Sequence, residues 1–267
     1  MEQLIISLIL AVFIGMTLSI IGGGGSILTV PIFVYILGLP ATEATAYSLF
    51  VVGATAALSA IGYQREGLIA WKDGILFAIP SLFAVFLVRS YILPGIPDSM
   101  GAAIGLSFSK DLFIMVLFAI IMGLASYSMI RSKVITEPKK EYSPALKSAF
   151  IMIEGFGVGG LTGIVGAGGG FLIIPALVLL LKMPIKKAIG TSLMIIAVKS
   201  LIGFTGDLIA LPEIDWAFIL LFTGFAFAGV FIGLRVSKYI PSEGLKKGFG
   251  IFIAVMAAFI LITELIF

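Results

Sequence analysis

Two glycine clusters concentrate the backbone capable of binding chemistry: Gly22, Gly23, Gly24 and Gly25 followed by Ser26, and Gly166, Gly168, Gly169 and Gly170, interrupted only by Ala167. A regular helix is costly through such runs. Each cluster therefore marks a break, and the helix that restarts after it presents unpaired N–H groups and the positive end of its dipole. That arrangement suits an anion. Ser48, Thr191, Ser192 and Ser200 follow the breaks and offer hydroxyl donors. Lys199 adds positive charge inside an apolar run, where a lone ammonium costs at least about 2.5–3.5 kcal/mol. Glu154 also lies in an apolar run; it is either the ion-pair partner of Lys199 or, with Asp207, a carboxylate able to take up a coupling proton. The chain has no Cys and no His, which removes disulfides, thiolate or imidazole metal sites, and Cys or His nucleophiles. Plainer readings stand beside these: glycines that let helices approach closely, and hydroxyls bonded to their own helix carbonyls.

The elements that must hold these residues are membrane helices. Of the 267 residues, 60% are hydrophobic and 12% charged, unlike a soluble domain. Apolar runs recur at 4–21, 27–38, 44–63, 73–93, 111–131, 146–165, 171–182, 187–210, 216–236 and 246–265. Most can cross about 30 Å of hydrocarbon, but 27–38 and 171–182, each following a glycine cluster, are too short to do so and read as half-helices. The run 4–21 lacks a basic leader and is expected to stay as a helix rather than be cleaved. Trp71 and Trp216 suit interfacial anchoring, and Gly229 with Gly233 suits helix packing. The net charge of +3 lies in short clusters between the runs, which points to topology and not to nucleic acid.

An internal repeat organises the chain. The stretch IGGGGSILTVP ends at Pro31 and VGAGGGFLIIP at Pro175, 144 residues later; Pro40 and Pro184, Ser48-Leu49 and Ser192-Leu193, and Ile96-Pro97 and Ile240-Pro241 share that offset. The expected organisation is a first transmembrane repeat over 1–131, a linker over 132–145 and a second repeat over 146–267, in one all-α polytopic membrane domain. If each broken pair enters and returns on one side, fourteen of the seventeen Lys and Arg residues fall on one face, which the positive-inside rule makes cytoplasmic. The repeats are then inverted, each with a glycine-broken helix pair and three long helices. Both termini face outward, and the linker is cytoplasmic, in the cell (inner) membrane.

The doubled glycine–proline motif resembles the TauE/SafE family of sulfite and sulfonate exporters. The stretch GTSLMIIAVKSLIG from Gly190 to Gly203, the pair Asp215-Trp216 and LKKGFGIF from Leu245 resemble that family's later pieces. The resemblance covers nearly the whole chain. It implies a secondary carrier for small sulfur-containing or organic anions such as sulfite or sulfonates, with no cofactor and no ATPase of its own. Family members often carry a histidine after the break, which this chain lacks, and Tyr47-Ser48 here faces Thr191-Ser192 in the second repeat. The expected partners are a small anionic substrate, membrane lipid, a coupling ion that is H+ or Na+, and a second copy in a homo-oligomer. An anion channel, a carrier of other organic anions and a membrane subunit of a larger pump are the alternatives. An intramembrane enzyme fits worst, because no carboxylate pair falls at helical spacing.

Overall fold

The computed structural model describes residues 2–23, 28–30, 32–39, 41–92, 99–100, 108–131, 144–165, 170–210 and 214–266. Apart from a two-residue antiparallel pairing of Ser99–Met100 with Phe108–Ser109, the regular structure in these residues is helical. The long helices are α1 (Glu2–Ile21), α2 (Ala41–Arg65), α3 (Trp71–Leu87), α4 (Lys110–Arg131), α5 (Pro144–Val165), α7 (Ile185–Ala210), α8 (Trp216–Tyr239) and α9 (Ser242–Ile266). Between α5 and α7 lies the short α6 (Gly170–Pro175), continued by a π-helical turn over Ala176–Leu180. Between α1 and α2 the chain forms a π-helical turn over Ile32–Ile36. Among the described residues, four spans are long and apolar enough to cross a bilayer: Ala46–Arg65, Ile185–Thr205, Trp216–Tyr239 and Ser242–Ile262. Large apolar side chains face outward along these and neighbouring helices, among them Phe83, Ile153, Leu220, Phe231 and Phe259. In water such a perimeter would aggregate; in lipid it is the expected solvent face. This is a multi-pass membrane protein.

The offset of 144 seen in the sequence recurs in backbone geometry. Leu37 N–H donates to the Ile32 carbonyl (3.2 Å) and Leu39 N–H to that of Phe33 (3.0 Å); Leu181 donates to Ala176 (3.4 Å) and Met183 to Leu177 (3.0 Å). Both turns then release the chain through a left-handed residue, Gly38 at φ 67° and Lys182 at φ 53°. Lysine carries a Cβ that disfavours this region, so the second stop is held by its two hydrogen bonds without the help that glycine gives the first.

Helix pairing also respects the offset. The closest pairs are α1 with α8, α3 with α5, α2 with α7, and α4 with α9. Shifting by one repeat turns the first pair into the second and returns the other two to themselves. The α1–α8 and α3–α5 seams are parallel and glycine-lined: a Cβ at Gly15 would strike the Ala226 carbonyl, at Gly229 that of Val12, at Gly155 that of Phe77, and at Gly159 that of Ser81. Gly229 and Gly233 therefore pack against α1 as the small-residue pattern predicts. In contrast α2 and α7 run antiparallel, with Gly53 against Leu201, Leu49 against Gly203 and Tyr63 against Gly190.

The interior divides into two apolar clusters. One gathers Ala11 and Ile14 of α1, Ile32 and Phe33, Tyr47 and Val51 of α2, and Ile219, Phe222 and Ala226 of α8. Phe33 stacks edge-on against Tyr47, Phe218 and Phe222. After Gly22 the chain has therefore come back beside the first half of α1. The other cluster draws on Leu18 of α1 and on α2, α3, α4, α5, α6, α7 and α9. At the opposite end from Phe33, Glu66 pairs with Lys238 at 2.7 Å, the Tyr63 hydroxyl donates to the Ser19 carbonyl at 2.9 Å, and Gly190 abuts the Leu68 carbonyl. Arg65, Lys186, Lys187 and Lys238 thus sit at the same end of the bundle.

Candidate functional site

The first glycine break begins at Gly22, whose N–H still bonds the Leu18 carbonyl (2.7 Å) while its φ of 79° ends α1. There is no room for a side chain here: a Cβ would meet Ile174 Cδ1 of α6 and lie 3.0 Å from Ser192 Oγ of α7. The turn of one repeat is thereby pressed onto the short helix and the following long helix of the other. Gly23 is buried beside it. Gly24, Gly25, Ser26, Gly166, Gly168 and Gly169 lie outside the described residues, and Gly170 opens α6.

The hydroxyls divide by role. Ser192 donates to its own helix at the Ile189 carbonyl (2.8 Å) and presents its oxygen toward Gly22. Thr191 Oγ1 accepts the N–H of Ala70, the residue that caps α3, at 3.0 Å. In the same way the Tyr47 hydroxyl accepts the N–H of Asp215, the cap of α8, at 2.8 Å. Tyr47 and Thr191 are 144 residues apart, and each fixes the start of a long helix in the other half of the chain, Tyr47 that of α8 and Thr191 that of α3. The sequence difference between them leaves this duty unchanged. Asp215 is exposed, and its carboxylate caps α8 by accepting from Phe218 N–H at 2.9 Å. Ser48 on α2 and Ser200 on α7 are buried.

Lys199 lies midway along the 26-residue α7 and is only 8% exposed. Its ammonium donates to Ser81 Oγ of α3 at 3.1 Å. Glu154, on α5, holds a buried Oε2 that takes no hydrogen bond. An ion pair between these two residues, one reading of the sequence, is not among the described contacts; the Ser81 hydroxyl is the contact described for the ammonium. Ser192 and Lys199, seven residues apart, share one side of α7 about 10 Å from each other along the axis. Asp207 is in α7, with its side chain outside the described residues. No group of three or more His, Cys, Asp or Glu able to hold a metal ion occurs among the described residues.

Sequence reasoning passed over Ser81, and it noted Tyr47 only as a departure from the Thr-Ser pair, not as a residue that holds a helix start. The signal for Ser81 was a polar residue directly after Pro80 within an apolar run; for Tyr47 it was the offset of 144 from Thr191.

Comparison with known proteins gives the family of this sequence. Residues 7–260 match the family described as Sulfite exporter TauE/SafE. The chain belongs to the TauE/SafE family. A probable membrane transporter protein of Xylella fastidiosa (strain 9a5c) is 26% identical over 268 residues, covering 97% of this chain and 95% of the relative. The probable membrane transporter protein YunE of Bacillus subtilis (strain 168) is 26% identical over 261 residues, covering 90% of each. A probable membrane transporter protein of Methanocaldococcus jannaschii is 34% identical over 127 residues, covering 45% of this chain and 47% of the relative. No solved structure matches the chain. As a TauE/SafE member with transporters for relatives along its full length, the chain is a membrane transporter.

Proposed function

We propose that this TauE/SafE protein is a secondary transporter of small anions, of the sulfite or sulfonate type, working by alternating access between two inverted repeats in the inner membrane. The observation that carries the reading is the contact of the first glycine turn with Ser192, on the same side of α7 as the buried Lys199 ammonium. Unwound backbone at membrane depth is tolerated where it lines a cavity, and Lys199 supplies the positive charge an oxyanion requires. The substrate then sits between the turns at Gly22 to Ser26 and Gly166 to Gly170, within reach of Ser48, Ser192, Lys199 and Ser200.

The antiparallel run of α2 and α7, and pairings that exchange under the offset of 144, support repeats of opposite orientation. The clustering of Arg65, Lys186, Lys187 and Lys238 at one end supports a cytoplasmic face there, with both termini outside and the 132–145 linker inside. The family's own description supports sulfite as the substrate type and export as the direction. The companion ion is a proton or sodium, with Glu154 and Asp207 as the carboxylates available to it.

Thermal unfolding of the purified protein in detergent tests the substrate. Sulfite, thiosulfate, sulfoacetate or taurine should raise the melting temperature, because a ligand bound only to the folded state stabilises it. The shift should shrink in Lys199→Ala. Equal shifts in both proteins would remove Lys199 from the site, and a response to simple carboxylates alone would refute the sulfur-anion reading.

A further inference from the structure

Resting on the transporter reading, we infer that the companion ion is a proton and that Glu154 binds it. Oε2 of Glu154 is the buried side-chain oxygen or nitrogen without a hydrogen bond among the described residues. Glu154 precedes Gly155, the residue of α5 that meets α3 most closely at this level. At this level α3 offers the Phe77 and Ser81 peptides, which press on Gly155 and Gly159 on either side of the next turn of α5. The short α6 and its π-helical turn contain no titratable residue.

The charged and titratable groups of the neighbouring elements stand toward helix ends. They are Lys72 and Asp73 at the start of α3, Arg89 and Tyr91 after it, Lys110, Asp111, Tyr127 and Arg131 on α4, and Lys147 two turns earlier on α5 itself. None of them is a hydrogen-bond partner of Oε2. Lys199, the cation at similar depth, reaches Ser81 instead.

A carboxylate oxygen in hydrocarbon with no donor is costly, and a proton is the smallest ligand that removes the charge. A hard metal cation needs a shell of several oxygens, and no group of three or more His, Cys, Asp or Glu that could supply one occurs among the described residues. The charge balance of a transport cycle points the same way. A bound monoanion adds one negative charge to the membrane interior, and protonation of Glu154 adds one positive charge. Taken up together, they leave the loaded and empty forms with the same interior charge, so neither crossing carries an extra Born cost; net flux runs outward, as export requires, where the outward gradient of the anion exceeds the opposing pH gradient. In the step itself, Oε2 forms an O–H bond with a proton from water at one face. That bond breaks to water at the other face, and no electrons are transferred.

The test uses the full chain in proteoliposomes with labelled methanesulfonate, which stays a monoanion throughout the assay range and so carries no proton of its own. Exchange of labelled for unlabelled probe in the unaltered protein tests the transporter reading separately. An imposed pH gradient should drive net uptake with proton movement reported by a trapped dye; Glu154→Gln should lose this gradient-driven uptake and Glu154→Asp should keep it. Gradient-driven uptake that persists in Glu154→Gln, or uptake in the unaltered protein that follows a sodium gradient instead, overturns the inference. Should methanesulfonate not exchange, infrared difference spectra of the purified protein between acidic and alkaline buffer decide. A carboxyl band that responds to pH and is missing from Glu154→Gln sustains the proton site; identical spectra from the two proteins overturn it.

Discussion

Adding one methyl group at Gly159 or at Gly157, two positions on the same helix, should move stability in opposite directions. At Gly159 the new Cβ falls onto the carbonyl oxygen, Cα and carbonyl carbon of Ser81. These are backbone atoms of α3 and cannot rotate aside, so the helices must part. Opening the seam by roughly 1 Å forfeits a quarter to a half of the dispersion between facing atoms, and overpacking of this kind costs about 1–3 kcal/mol. The better helix propensity of alanine returns about 0.8–1 kcal/mol, leaving Gly159→Ala destabilised by up to about 2 kcal/mol. At Gly157 nothing lies within 4 Å of the added atom, so Gly157→Ala keeps the propensity gain alone. The gain being common to both, the two variants should differ by the overpacking cost of about 1–3 kcal/mol, roughly a fivefold to 150-fold difference in the unfolding equilibrium. Reversible unfolding in mixed micelles, followed by circular dichroism, reads this difference directly. Equal stability of the two variants would mean that α3 and α5 do not approach along this seam. The same measurement on Gly15→Ala, one repeat earlier, should repeat the loss.

Four further outcomes follow from the contacts described. Thr191→Val and Tyr47→Phe each strand the capping N–H of a helix in the other half of the chain, at Ala70 and Asp215 respectively, and should cost about 1–2 kcal/mol in the same unfolding assay. Gly22→Ala forces a side chain into a left-handed φ against Ile174 and Ser192; it should lose about 1–2 kcal/mol and blunt the stabilisation by sulfur oxyanions. Lys199→Ala should weaken anion affinity by about tenfold, or ~1.4 kcal/mol, in calorimetric titration with sulfite or sulfoacetate. The exposed Glu66–Lys238 pair should be worth less than about 1 kcal/mol by double-mutant cycle, and less again in high salt.

The long helices were legible because hydrophobic length is a coarse and strong signal: every long apolar run became a helix, with ends shifted by a few residues. The offset of 144 was legible because it rests on prolines and a serine–leucine pair that keep their register. What glycine does at a given position was not legible. Gly157 and Gly159 look alike in the sequence, yet one faces open space and the other a peptide group, since the facing helix belongs to the other repeat. The partner of Lys199 was hidden for the same reason. Helix register gives the side of α7 on which the ammonium lies, but the choice between Ser81 and Glu154 depends on which helix intervenes. Lys182 shows a third limit, because a left-handed lysine has no compositional mark.

The crossed pairing of α1 with α8 and of α3 with α5 bears on how the chain is made. Synthesis delivers α1 first, and the surface that Gly15 presents stays without its match until Gly229 and Gly233 have been inserted, more than two hundred residues later. Neither half of the chain can complete these seams alone. Such long-range closure makes late assembly the slow stage of maturation. Separately expressed halves, 1–131 and 146–267, should therefore each be short-lived in the membrane and should rescue one another when made together.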